Sequence, residues 1–190
     1  MDAKLKKYNI HLAIFCSPHN PAGRVWERWE LEKALEVFER NECYVISDEI
    51  WADIVYAGHK HTPTLMVNDW AKDHVIGIYA PSKTFNLAGL VGSYHIIYNK
   101  YLRDRIKAFE RATHYNEMNV LSMHALMAGY SEQGTEWLGE LLEVLEDNCK
   151  YAYEHIRTHY EGVDVSMPEG TYMLFLNCAS WLEKNGKTLD

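Results

Sequence analysis

Apolar residues along this chain gather in short runs that alternate with segments of helical spacing. The runs "HLAIFCS" (11–17), "CYVIS" (43–47), "HVIGIY" (74–79) and "GSYHIIY" (92–98) are short and rich in β-branched or aromatic residues. They predict four strands. Between the first two, "VWERWELEKALEVFERN" sets Leu31, Ala34, Leu35 and Phe38 on one helical stripe, and "YLRDRIKAFERA" does the same with Leu102, Ile106 and Phe109. Strands alternating with helices predict an α/β fold, a parallel sheet covered on both faces.

The tail has a different rhythm. From 136 to 160, Leu138, Leu141, Leu142, Leu145, Cys149, Ala152 and Ile156 share one stripe of a long helix. It leads into "GVDVSMPEGTYMLFLNC", which predicts two short strands around a Pro-Glu-Gly turn. A change of domain is expected at the long helix, dividing 1–135 from 136–190.

Composition narrows the function classes. The chain has 190 residues, 47% of them hydrophobic, and a net charge of −8. With no Lys/Arg block, it has no footprint for a nucleic-acid backbone. No apolar stretch approaches membrane-spanning length, and the run near the N-terminus lacks the features of a signal peptide. The four cysteines stand far apart with no CxxC, as expected of reduced thiols. A soluble, cytoplasmic protein with no membrane partner is expected. The "HKH" at 59–61 lacks further ligands at metal spacing, so it reads as a solvated loop and no metal site is expected.

Three polar residues stand at the ends of three successive strands: Asn20 after the first, Asp48 at the end of the second, Lys83 after the third. Each alone has an ordinary explanation as a turn residue, a cap or a solvated lysine. In an open α/β sheet, however, ligands bind beyond the carboxyl ends of the strands. A lysine amine there can form an imine with an aldehyde, and a carboxylate can keep a pyridinium nitrogen protonated.

The stretches "NPAGRVW", "SDEIWADIVY" and "APSKTFNLAGL" resemble the signature segments of class I/II aminotransferase-like, fold-type I pyridoxal phosphate (PLP) enzymes. The resemblance extends to "PEGTYMLFLNC" in the tail. It implies a three-layer α/β/α fold. Residues 1–135 would form part of the PLP-binding large domain. Residues 136–190 would supply the interdomain helix and part of a small α+β C-terminal domain. It implies that Lys83 holds PLP through its amine and shuttles a proton, that Asp48 pairs with the pyridine nitrogen, and that Asn20 meets the phenolic oxygen next to a cis Asn20–Pro21 bond. "CSPHNPAGRVW", "GHKHTP" and "GSYHIIYN" are similar to the cystathionine β-lyase (C–S lyase) branch.

Departures from the family pattern refine this picture. Val91 stands where many aminotransferases have a phosphate-gripping arginine, which favours a lyase. Trp51 replaces the usual Tyr or His; its indole N–H can donate to the phenolic oxygen, or the residue can be core. Ala80 replaces a phosphate-touching hydroxyl, leaving Ser82 as the nearest, either a phosphate contact or a helix cap. The family's glycine-rich phosphate cup, ring-stacking aromatic and carboxylate-binding arginine have no match in 1–190, so the chain reads as an internal piece of a homodimeric enzyme. Three functions follow: a β-lyase acting on cystathionine- or cysteine-type amino acids, an aminotransferase, or a non-catalytic remnant serving as a binding or structural partner.

Overall fold

The computed structural model describes residues 1–115 and 117–188. Strands β1 (Leu12–Cys16), β2 (Tyr44–Asp48) and β3 (Val75–Tyr79) pair in parallel in that order, with Cys16 beside Asp48 and Asp48 beside Ile78. Their carboxyl ends therefore stand level at one edge. Strand β4 (Tyr94–Ile96) closes the sheet antiparallel to β3. The fourth strand thus departs from the all-parallel expectation.

Alternation along β2 and β3 separates two faces. Val45, Ser47, Val75 and Gly77 look into the core, where helix α2 (Arg28–Glu39) packs Leu31, Leu35 and Phe38. Helix α1 (Asp2–Tyr8) adds Leu5, and helix α3 (Asp69–His74) adds Ala71. A reciprocal bond between Glu27 and Glu30 starts α2, and Asn68 caps α3 by accepting the Ala71 N–H at 2.8 Å. The opposite face carries Leu12, Ile14, Ile46 and Ile78. Along β1 it is not covered as the apolar runs predict, for Ile14 is 75% exposed, whereas Ile46 and Ile78 are half-buried. The reason is topological. Strand order follows chain order, so right-handed crossovers carry the intervening helices to the same face.

After β3 the chain makes a single turn of helix, α4 (Pro81–Thr84). Helices α5 (Lys100–Thr113), α6 (Val120–Gly129) and α7 (Glu132–His159) follow. Helix α7 begins four residues ahead of the expected start at 136, capped by Ser131 on the Gly134 N–H at 3.2 Å. Of its apolar stripe only Cys149 is fully buried. Strands β5 (Asp164–Val165) and β6 (Leu176–Asn177) pair antiparallel, with the Pro-Glu-Gly turn between them, before helix α8 (Ala179–Lys184).

That turn folds back onto the sheet's carboxyl edge. Glu169 and Gly170 N–H groups donate to Gly23 O at 2.8 and 3.1 Å, and the Thr171 N–H donates to Ile54 O at 2.9 Å. Arg24 adds salt bridges to Glu169 and, at 2.7 Å, to Glu30. Gly23 has a φ of +67°, and a Cβ there would lie 2.5 Å from the Pro168 Cβ. Only glycine meets both demands. Among the described residues no helix is long and apolar enough to cross a membrane.

Candidate active site

The level ends of β1, β2 and β3 bring Asn20, Asp48 and Lys83 to one edge. Asn20 is exposed, between the cis bonds Ser17–Pro18 and Asn20–Pro21, and its backbone N–H donates to Cys16 Sγ at 3.4 Å. The Ser17 N–H donates to Asp48 O at 3.0 Å, tying the exit of β1 to the exit of β2. Asp48 lies on the open face with Cys16, half-buried, and its Oδ1 accepts the Ile50 N–H at 3.3 Å. Its second oxygen makes no bond within the described residues.

Lys83 is half-buried on the single turn α4, with its Nζ 5.8 Å from the centre of the Trp51 ring. It forms no ion pair among the described residues. Trp51 itself is only 4% exposed and takes an edge-on contact from Tyr172 at 4.6 Å. It is therefore both core and a flank of the lysine. Ser82 does not cap its helix: Ala80 holds the N-cap position and Ser82 lies inside the turn. Val91 is exposed with a φ of +51°, a strained position for a β-branched side chain.

Beneath this edge lies a polar cluster that sequence reasoning did not find. Glu49 is 1% exposed and accepts four hydrogen bonds. The Ser47 hydroxyl and the Thr64 N–H reach Oε1, both at 2.9 Å; the Tyr79 hydroxyl reaches Oε2 at 2.9 Å and His61 Nε2 at 2.8 Å. Burial first, then the Glu49 charge, pushes the Tyr79 ionisation far above its ordinary range. His61 is thus a correction to the solvated-loop reading of "HKH": its side chain is 10% exposed. The acidic doublet Asp48–Glu49 was the available signal, since successive strand-end residues point to opposite faces.

A second cluster joins Asp53, Thr84 and Tyr130. Asp53 Oδ2 accepts the Thr84 hydroxyl at 2.8 Å and the Tyr130 hydroxyl at 2.9 Å. No group of three or more His, Cys, Asp or Glu side chains able to hold a metal occurs among the described residues. The edge instead offers an amide, a carboxylate with a free oxygen and an amine. Two buried polar atoms near it, Ser17 Oγ and His19 Nδ1, have no partner among the described residues. Such an amine can take an aldehyde as an imine, and such a carboxylate can hold a proton on a ring nitrogen, so the donor set fits a ligand that carries both groups.

The family model "Aminotransferase class I and II" matches residues 1–185. The chain is 35% identical to cystathionine beta-lyase PatB of Bacillus subtilis, over 95% of this chain and 46% of the relative. It is 34% identical to protein MalY of Escherichia coli, over 93% of this chain and 45% of that protein. The PLP-bound C-S lyase of Staphylococcus hominis superposes with a TM-score of 0.89 at 32% identity, covering 99% of this chain and 46% of that one. The chain spans about half the length of these relatives. With its strand-end constellation and this match over nearly all of its length, the chain belongs to the class I and II aminotransferase family.

Proposed function

We propose that this chain carries the central part of the active site of a PLP-dependent C–S β-lyase acting on cystathionine- or cysteine-type amino acids. One observation supports it above the others: Asn20, Asp48 and Lys83 follow or end three adjacent parallel strands whose carboxyl ends stand level. Bound PLP supplies an electron sink for the substrate's Cα electron pair. The Lys83 amine would hold the cofactor at its aldehyde group and, as a free base, would take the substrate's Cα proton. Asp48 would hold the proton on the ring nitrogen with its free oxygen. The Asn20 amide would donate to the phenolic oxygen and Ser82 would offer a hydroxyl for the phosphate, while Trp51 flanks the lysine at 5.8 Å.

Loss of thiolate from Cβ and hydrolysis would give a thiol, ammonia and pyruvate. On this reading residues 1–135 belong to the cofactor-binding large domain and 136–190 to the interdomain helix and small domain. The complete enzyme is a cytoplasmic homodimer. The exposed Val91, where an arginine would serve a transaminase phosphate grip, favours elimination over the runner-up, an aminotransferase. Pyruvate release from cystathionine by the complete enzyme, without a keto-acid acceptor, tests the assignment. Brisk transamination with negligible pyruvate would reverse the ranking. Neither turnover nor cofactor uptake would leave the binding-partner reading.

A further inference from the structure

The turn that carries Lys83 is too short to orient itself. Helix α4 has four residues and no side-chain cap at its N-terminus. An isolated turn fixes several dihedrals for one hydrogen bond and is unfavourable alone. Something else must aim the lysine. The residue next to it, Thr84, is 0% exposed and donates its hydroxyl to Asp53 Oδ2 at 2.8 Å. Asp53 lies two residues after Trp51 and five after Asp48. Its one oxygen also takes the Tyr130 hydroxyl at 2.9 Å. Burial first, and then the Asp53 charge, raises the Tyr130 ionisation well above its ordinary range, so that phenol stays a donor.

The following residue is held on the same support. Phe85 meets the Tyr130 ring edge-on at 5.4 Å, and Gly129 leaves the room, because a Cβ there would lie 2.7 Å from the Phe85 ring. One carboxylate oxygen therefore ties the segment bearing Asp48 and Trp51 to the turn bearing Lys83 and to the end of α6. We infer that Asp53 is a positioning residue for Lys83, acting through the Thr84 hydroxyl. The inference rests on the reading of Lys83 as the cofactor-binding lysine. Its physical content is that an amine on a flexible stem reacts productively only when its backbone is held in register with the carboxylate that serves the same ligand.

Two readouts separate this brace from the cofactor reading. The first needs no cofactor: the 13C resonances of reductively methylated Lys83, assigned with Lys83→Arg. The second traps added PLP with borohydride and maps the adduct within residues 80–90. Thr84→Val keeps the shape and removes the donor. It should move the Lys83 resonance to the position of a free lysine and slow trapping on the order of ten-fold, the size of one hydrogen bond to a carboxylate. Thr84→Ser should restore both to within about two-fold, and Asp53→Asn, which keeps an acceptor oxygen, should fall between. A folded Thr84→Val chain with the parent's resonance and trapping rate overturns the brace. So does a loss that only tracks the unfolded fraction in urea. If the resonance responds as expected while even the parent traps no PLP at Lys83, the brace stands and the cofactor reading falls.

Discussion

Glu49→Ala should be among the most damaging substitutions in the chain. The carboxylate is buried, and it satisfies a serine hydroxyl, a backbone N–H, a tyrosine hydroxyl and a histidine, all within 2.9 Å. Truncation strands three donors around a small cavity, while the Ser47 hydroxyl keeps Thr64 Oγ1 as an acceptor at 2.9 Å. Each unpaired buried donor costs about 1–3 kcal/mol, and removing one partner from a buried charged pair costs about 3–5 kcal/mol. Allowing for relaxation around His61, whose side chain retains 10% exposure, about 4 kcal/mol is expected. Glu49→Gln keeps the shape and one acceptor oxygen, and should cost about 1–2 kcal/mol. With a urea slope of about 2 kcal/mol/M, the midpoint should fall by about 2 M for Ala and about 0.5–1 M for Gln. Tryptophan fluorescence and far-ultraviolet circular dichroism should report the same transition. A midpoint for Glu49→Ala within about 0.5 M of the parent would refute the four-donor account. Equal losses for Gln and Ala would refute it too.

Tyr79 leads to a pH prediction. Its folded ionisation lies above the ordinary value of 10.0, so the folded chain keeps a proton that the unfolded chain releases. Its stabilisation is complete below about pH 10 and is lost as pH rises toward the folded value, so Tyr79→Phe should flatten the fall in urea midpoint between about pH 9 and pH 11. Gly23→Ala should cost about 2 kcal/mol, because the residue must hold φ +67° against Pro168, and the damage should appear as faster proteolysis around the 168–171 turn. A wild-type proteolysis rate would count against that clip. Asp48→Ala should lower kcat/KM of the complete enzyme about a hundred-fold or more while barely moving the urea midpoint. Comparable losses in both would make Asp48 a structural residue.

The strand ends were legible because buried runs stop abruptly at polar residues, and Asn20, Asp48 and Lys83 are read from those stops. What the pattern concealed has specific causes. Leu12, Ile14, Ile46 and Ile78 are apolar whether or not a layer covers them, so hydrophobicity alone predicted two covered faces. Helix α6 is apolar on nearly every side and α1 buries only Leu5, so neither displays a helical stripe. The orientation of β4 is invisible in a three-residue strand. His61 looked like loop because its partner, Glu49, sits twelve residues away on the far side of a turn. Asp53 and Thr84 are 31 residues apart, and only the folded sheet brings them to 2.8 Å.

On the proposed function, Lys83 is the lysine that binds the cofactor. Reducing the complete enzyme with borohydride in the presence of PLP, digesting it and mapping the modified peptide tests this directly. One stoichiometric adduct is expected, on Lys83 within "APSKTF" and absent from Lys83→Ala. An adduct on any other lysine, or one that survives in Lys83→Ala, would contradict that reading.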